Sequence, residues 1–321
     1  MMKAIILEDF GGPEKLKIGD YPIPEPGPNE VQIKVAYAAV NPVDCKIRQG
    51  QLKDVFPNAF PLILGWDASG TISAIGAYVE DYKIGDEVLG YCRQSEVKWG
   101  TYAEYTCAPI NAIALKPPSI TFAQAAAMPI AALTAWQALF EQAQIQKGQS
   151  ILIQGGAGGV GSFAIQFAKQ AGAYIYTTAS QNNHDYVKSL GADVAIDYRQ
   201  ENVEKKLKEL EPQGVDIVLD LVGDQVLKDS FSLVKSGGYL ISIVEIPDTT
   251  FAQGAEIRTG YLFTHPDSPT LKHIAELMST GKIKPVRIEE MPLELASQAH
   301  QKSEQGHVVG KIVLKVSSCL I

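Results

Sequence analysis

The sequence is poor in the residues that build metal centres and disulfide frameworks. It has four cysteines, Cys45, Cys92, Cys107 and Cys319, with no CxxC pair among them. That scatter argues against a structural zinc site or disulfide scaffold and for reduced thiols in a cytoplasmic protein. The five histidines (184, 265, 273, 300 and 307) show no mutual spacing for metal or triad work, and each reads as a surface or loop residue. No apolar run approaches the length of a membrane span. The opening "MMKAIILEDFGGPEKL" is broken by Glu8 and Asp9, which fits a strand and not a secretory segment. Blocks of like charge are absent and the formal charge is −8, which disfavours nucleic acid and anionic membrane as partners.

What is present falls into two textures. Up to about residue 118, short alternating stretches such as "EVQIKVAYAAV" are separated by Gly, Pro and Asp turns. "YPIPEPGPNE" carries proline at every second position and must be an extended connector. A small β-barrel is expected. At Thr121 the pattern changes: Thr121 and Gln124 form a capping box, and Pro129 opens a second helix over 130–143. From residue 150, nearly continuous apolar strands alternate with helices at 159–171, 184–190, 202–210 and 224–234, the pattern of a parallel sheet covered on both faces. Further on, a helix capped by Ser268 with Pro269 at its first position, a helix near 294–305 and a strand over "HVVGKIVLKV" are expected. The fold class is therefore α/β, with domains at 1–122 and 123–260 and a C-terminal segment at 261–321.

The most informative stretch is "SILIQGGAGGVGSFAIQFAKQAGA", residues 150–173. Gly156, Gly158 and Gly161 form a GxGxxG between a strand and a helix. That helix has apolar residues at Val160, Phe163, Ala164, Phe167, Ala168 and Ala171, and Gly172 is placed to end it. Gly156 is assigned to the tight turn, Gly158 to close approach of a pyrophosphate, and Gly161 to close helix–strand packing. Gly159 and Val160 supply N–H groups at the positive end of the helix. This is a dinucleotide loop on a Rossmann-type sheet. The next strand ends at "ASQNN" with no acid before Asp185, and the donors Ser180, Asn183, Tyr198 and Arg199 are available. A carboxylate there would repel a 2′-phosphate, so its absence selects NADPH over NADH.

With that loop placed behind a β-rich first third, the sequence resembles the medium-chain dehydrogenase/reductases. It is most similar to their zinc-free quinone oxidoreductase branch, which includes NADPH-dependent alkenal and enone reductases. The resemblance runs through "PIPEPGPNEVQIKV", "AVNPVDCKIRQG", "PLILGWDASG", "AAAMPIAALTAWQAL", the glycine loop and "GHVVGKIVL". It implies a GroES-like catalytic domain, a Rossmann cofactor domain, an active site in the cleft between them, and a homodimer. Metal-dependent relatives carry a cysteine where this sequence has Asn41 and a GHE triplet where it has Gly65-Trp66-Asp67; their cysteine-rich lobe has no counterpart between Tyr91 and Tyr105.

The resemblance places Asn41 against the nicotinamide, Thr134 at its ring or carboxamide, Phe263 and Lys311 along the bound cofactor, and Trp66 as a pocket wall. No tyrosine follows Gly50, where some relatives have one, so the proton is expected from solvent or a ribose hydroxyl. The implied activity is hydride transfer from NADPH to a small-molecule quinone, enal or enone. The alternative is an NADPH-binding protein with little turnover and a structural or interaction role.

Overall fold

The computed structural model describes residues 1–316, so Cys319 lies outside the described residues. The chain divides into two compact units, Met1–Leu133 with the segment from Pro266 onward, and Thr134–His265.

The first unit is built on two sheets. One has four strands in the order Lys17–Tyr21, Met2–Leu7, Asn58–Ile63, Val97–Trp99. The larger runs Ile288–Pro292, Lys311–Lys315, Glu30–Ala39, Asp67–Ile75, Glu87–Tyr91, Ile113–Leu115, and Tyr105–Pro109 also pairs with Glu30–Ala39. Alternation explains the central strand: Val31, Ile33 and Val35 are buried while Gln32 and Lys34 point away from the core.

The register of that strand matters most. It runs antiparallel to both neighbours, with Ala39 opposite Val313 on one side and Asp67 on the other. Its carboxyl end therefore meets the amino ends of both neighbours, and Asn41, Asp67 and Lys311 converge there although 244 positions separate the last two. At this end the strand hands over to the helix Pro42–Arg48, with Asn41 at its N-cap and Pro42 at the first position, where a missing N–H costs nothing.

The second unit is a six-stranded, wholly parallel sheet. Numbered by appearance from Ser150–Ile153, its strands lie in the order 3-2-1-4-5-6, which is the doubly wound dinucleotide-binding arrangement. Leu152, Val218 and Leu240 from the strands pack with Leu207, Leu227 and Phe231 on one face. Trp136, Phe163 and Phe167 form an aromatic cluster, with Trp136 edge-on to Phe167 at 5.3 Å.

The helix Gly159–Ala171 has the expected bounds, and Gly172 ends it in the left-handed region at φ 79°. Thr121 and Gln124 exchange side-chain hydrogen bonds with each other's backbone N–H at 3.2 and 3.0 Å, completing the capping box. Two local readings are corrected. The helix expected over 130–143 is α-helical only for Pro129–Trp136 and then widens into a π-helical turn, Gln137–Gln142, closed by Ala143 N–H to Ala138 O at 2.9 Å. The helix Ser268–Ser279 is capped by Asp267, whose carboxylate accepts from Thr270 N–H at 3.2 Å. Ser268 is helical and spends its hydroxyl on Ile113 O at 2.5 Å, which leaves Pro269 at the second position.

Among the described residues no helix is long and apolar enough to cross a membrane. Cys45, Cys92 and Cys107 are buried free thiols.

Candidate functional site

In the second unit the glycine loop follows the strand Ser150–Ile153 at the switch point, where the chain order of strands reverses. Three glycines do three different jobs, and one assignment moves by a residue. The left-handed position of the turn is Gly155, at φ 77°, and not Gly156. Gly156 is required because a Cβ there would collide with Thr177 Oγ1 on the neighbouring strand. At Gly161 a Cβ would lie 2.5 Å from Gly155 O and 2.6 Å from Gly156 Cα, so helix and loop pack at contact distance.

Gly158 differs from both. It is the helix N-cap at φ −75°, a conformation any residue adopts, and the nearest atom to an added Cβ is Gly155 O at 3.5 Å. Nothing in the protein's own packing demands glycine there. The space over Gly158 is a cradle that a methyl group would fill, beside the amides of Gly159, Val160 and Gly161 in a first turn with no side-chain cap. Those features fit a pyrophosphate approaching the helix end.

The adjacent strands Tyr174–Thr178 and Val194–Ile196 end level, with Thr178 opposite Ile196. That alignment puts the residues just beyond each strand side by side. Asn183 Nδ2 donates to Ser180 Oγ at 3.1 Å; Tyr198 is exposed, with the Arg199 guanidinium 5.7 Å from its ring centre. Asp197, the residue before Tyr198, is buried and accepts from Arg199 N–H at 3.0 Å. Thr134 is buried and shares a 2.6 Å hydrogen bond with Thr264, the neighbour of half-exposed Phe263.

In the first unit, Asn41 and Lys311 meet. The Lys311 ammonium donates to Val40 O at 3.1 Å and to Asn41 Oδ1, and stands 3.8 Å from Asp67 Oδ2. Asn41 Nδ2 donates to Asp67 Oδ2 at 3.0 Å, and Asp67 Oδ1 accepts from Ile130 N–H at 2.9 Å. All three side chains are buried. Burial pushes the Asp67 carboxyl up to about 6, with Lys311 and the Asn41 amide opposing. Burial likewise pulls the Lys311 ammonium down, opposed by Asp67 and Asp44. Trp66, the residue before Asp67, packs between Phe56 and Tyr91 at 5.5 and 6.0 Å, with Arg93 over its ring at 5.8 Å.

A second buried chain starts at the same helix. Asp44 Oδ2 accepts from Asn41 N–H at 2.8 Å and from the Tyr102 hydroxyl at 2.9 Å. Tyr102 Oη lies 3.2 Å from His300 Nε2, and His300 Nδ1 lies 3.2 Å from Arg48 Nη1. The guanidinium can only donate, so His300 Nδ1 accepts and Nε2–H donates to Tyr102. Arg48 also binds Gly11 O at 3.0 Å and the carboxylate of Glu304. Asp44 Oδ1 is buried with no hydrogen-bond partner among the described residues. Burial raises the Asp44 carboxyl to about 7 and lowers the His300 ring to about 3.

This corrects the reading of the histidines. His300 is fully buried, and His184 is buried with Nε2 at 3.1 Å from Ala179 O. An Arg and a Tyr far away in sequence supply the polar partners that let His300 leave solvent. Asp44 and Asp67 were also missed as buried acids. The only local signal was the Asn-x-x-Asp spacing at 41–44, which marks a helix start.

Family models agree with this architecture. The alcohol dehydrogenase GroES-like domain matches residues 27–118 and the zinc-binding dehydrogenase model matches 190–314. A chloroplastic NADPH-dependent alkenal/one oxidoreductase of Arabidopsis thaliana is 36% identical over 325 residues, 98% of this chain and 79% of its own. A quinone oxidoreductase structure from Coxiella burnetii is 38% identical with a TM-score of 0.89, covering 98% of this chain and 99% of that one. The Escherichia coli quinone oxidoreductase, solved in complex with NADPH, is 27% identical with a TM-score of 0.88, covering 98% of this chain and 99% of that one. The chain belongs to the medium-chain dehydrogenase/reductase superfamily.

Proposed function

We propose that this protein is a zinc-independent reductase that transfers hydride from NADPH to quinones and α,β-unsaturated carbonyls. The NADPH-dependent reductase activity is supported by relatives named as alkenal/one and quinone oxidoreductases. The observation that carries it on this chain is the cradle over Gly158, open in a loop where Gly156 and Gly161 are demanded by the protein's own packing.

When bound, NADPH supplies the hydride. Gly158, Gly159, Val160 and Gly161 hold the pyrophosphate, while Ser180, Asn183, Tyr198 and Arg199 receive the 2′-phosphate. Thr134 and Phe263 border the nicotinamide end. Asn41 and Trp66 face the acceptor from the first unit, which makes the first unit catalytic and the second the cofactor domain. The donor set at the would-be metal position supports zinc independence: Asn41 Oδ1 is taken by an ammonium, which would also repel a divalent cation beside Asp67. A cytoplasmic homodimer completes the reading.

Steady-state NADPH oxidation against a panel of quinones, enals, saturated aldehydes and alcohols tests it. Quinones and short enals should turn over fastest, and elemental analysis after dialysis should show no stoichiometric zinc. Tight NADPH binding without turnover on any acceptor would favour the interaction role instead.

A further inference from the structure

We infer that Asn41 is a catalytic residue whose amide is fixed to present an N–H toward the acceptor oxygen that gains charge, with Lys311 and Asp67 as the residues that position it. The inference rests on the proposed reductase activity and deepens it.

An asparagine amide can present either an acceptor or a donor, and two ends that look alike are told apart only by their partners. Here the partners leave no choice. Lys311 has only protons to give, so Oδ1 must face it; Asp67 as a carboxylate has only lone pairs, so Nδ2 must face it. Reversing the amide would set Oδ1 against the Asp67 carboxylate and N–H against the ammonium, two repulsive contacts in a buried site. One of the two Nδ2 protons goes to Asp67. The second Nδ2 N–H is the donor that the amide keeps, and Lys311 polarises it through Oδ1.

The chemistry of the reaction calls for such a donor. Hydride added to an enone β-carbon forms a C–H bond, breaks the C=C π bond and places the displaced pair on the carbonyl oxygen; a proton from water at the α-carbon then completes the saturated carbonyl. A quinone takes one hydride and one proton in the same balance and gives a hydroquinone. In both cases negative charge develops on an oxygen, where a preorganised N–H acts more strongly than on the neutral starting carbonyl. An N–H held at that point favours the charged oxygen over an alcohol hydroxyl that must give up its proton.

The test reads charge on a bound ligand, independently of turnover. With the full chain saturated in NADP⁺, para-nitrophenol is titrated as a stand-in for the reduced-quinone oxyanion, and its phenolate absorbance is followed against pH. The parent should bind phenolate about tenfold or more tighter than phenol, the scale of one charge-assisted hydrogen bond. Lys311→Met should remove most of that preference and Lys311→Arg should restore part of it. Asn41→Asp should reverse it, and it carries the test if Lys311→Met does not fold. Phenolate preference equal to the parent's in both Lys311→Met and Asn41→Asp would overturn the inference. If instead the parent reduces neither benzoquinone nor an enal while its phenolate preference still depends on Lys311, the proposed activity falls and the donor assignment stands.

Discussion

Replacing Gly158 and Gly161 separately by alanine divides the needs of the fold from those of the ligand. At Gly161 the new methyl meets backbone atoms at 2.5 and 2.6 Å, so either the helix Gly159–Ala171 or the loop must move. Overpacking of this kind costs typically about 1–3 kcal/mol. At Gly158 the methyl has no neighbour closer than 3.5 Å and φ is −75°, so no strain is added. The loss of a good N-cap residue and the gain from a less flexible unfolded chain, about 0.4–1 kcal/mol, act in opposite directions and leave stability nearly unchanged. The methyl would, however, stand where a phosphate must approach. Losing one charge-assisted hydrogen bond, worth about 1.5–3 kcal/mol, weakens binding roughly tenfold to a hundredfold. Thermal melting and fluorescence titration with NADPH are the assays. Gly161→Ala should lower both Tm and affinity; Gly158→Ala should lower affinity alone. Parental NADPH affinity in Gly158→Ala would refute the reasoning, because the cradle would then hold nothing.

Three more outcomes follow from the described geometry. Ser180→Asp puts a carboxylate beside Asn183 at the ends of adjacent strands, and should turn a preference for NADPH into one for NADH, measured as the ratio of the two dissociation constants. Arg48→Met strands Gly11 O, His300 and Glu304 and should cost about 3–5 kcal/mol, the scale for breaking a buried charged pair, read as a lower denaturation midpoint. His300 is held neutral in the fold with its pKa lowered to about 3, while the unfolded ring takes a proton below about 6.5. Its contribution to stability is therefore complete above that value and lost as pH falls toward 3. Asp44, raised to about 7, acts in the opposite sense, its contribution being lost as pH rises. Comparison of the parent with His300→Gln isolates the histidine: the stability advantage of the parent should shrink on acidification, and a constant difference would count against a buried neutral ring.

Legibility in the sequence tracked the range of the interaction. The helix Gly159–Ala171, its terminating Gly172 and the Thr121–Gln124 box depend on neighbours within a few residues, and each was readable in place. The shift of the turn from Gly156 to Gly155 was not, because Gly156 is demanded by Thr177 on another strand. Ser268 looked like a cap until Ile113, from a distant strand, claimed its hydroxyl. Asn41 was singled out on resemblance alone. That Lys311 and Asp67 hold both ends of its amide follows from strand register, with Val313 and Asp67 on either side of Ala39, and no local pattern encodes that pairing. His300 is the same case, since Arg48 and Tyr102 reach it from far along the chain.

The register around Ala39 also sets an order of events during synthesis. Thr134–His265 is one continuous stretch, so its sheet can close while later residues are still being added. The larger sheet of the first unit cannot, because its strand Lys311–Lys315 leaves the ribosome hundreds of residues after the strand it pairs with. Until then the Tyr37–Ala39 end of the strand Glu30–Ala39 is an open sheet edge, and Asp67 lacks the ammonium that will neutralise it. The strand Glu30–Ala39 thus waits for a strand made long after it, and a nascent or truncated chain without Lys311 exposes a sheet edge for chaperones or proteases to find.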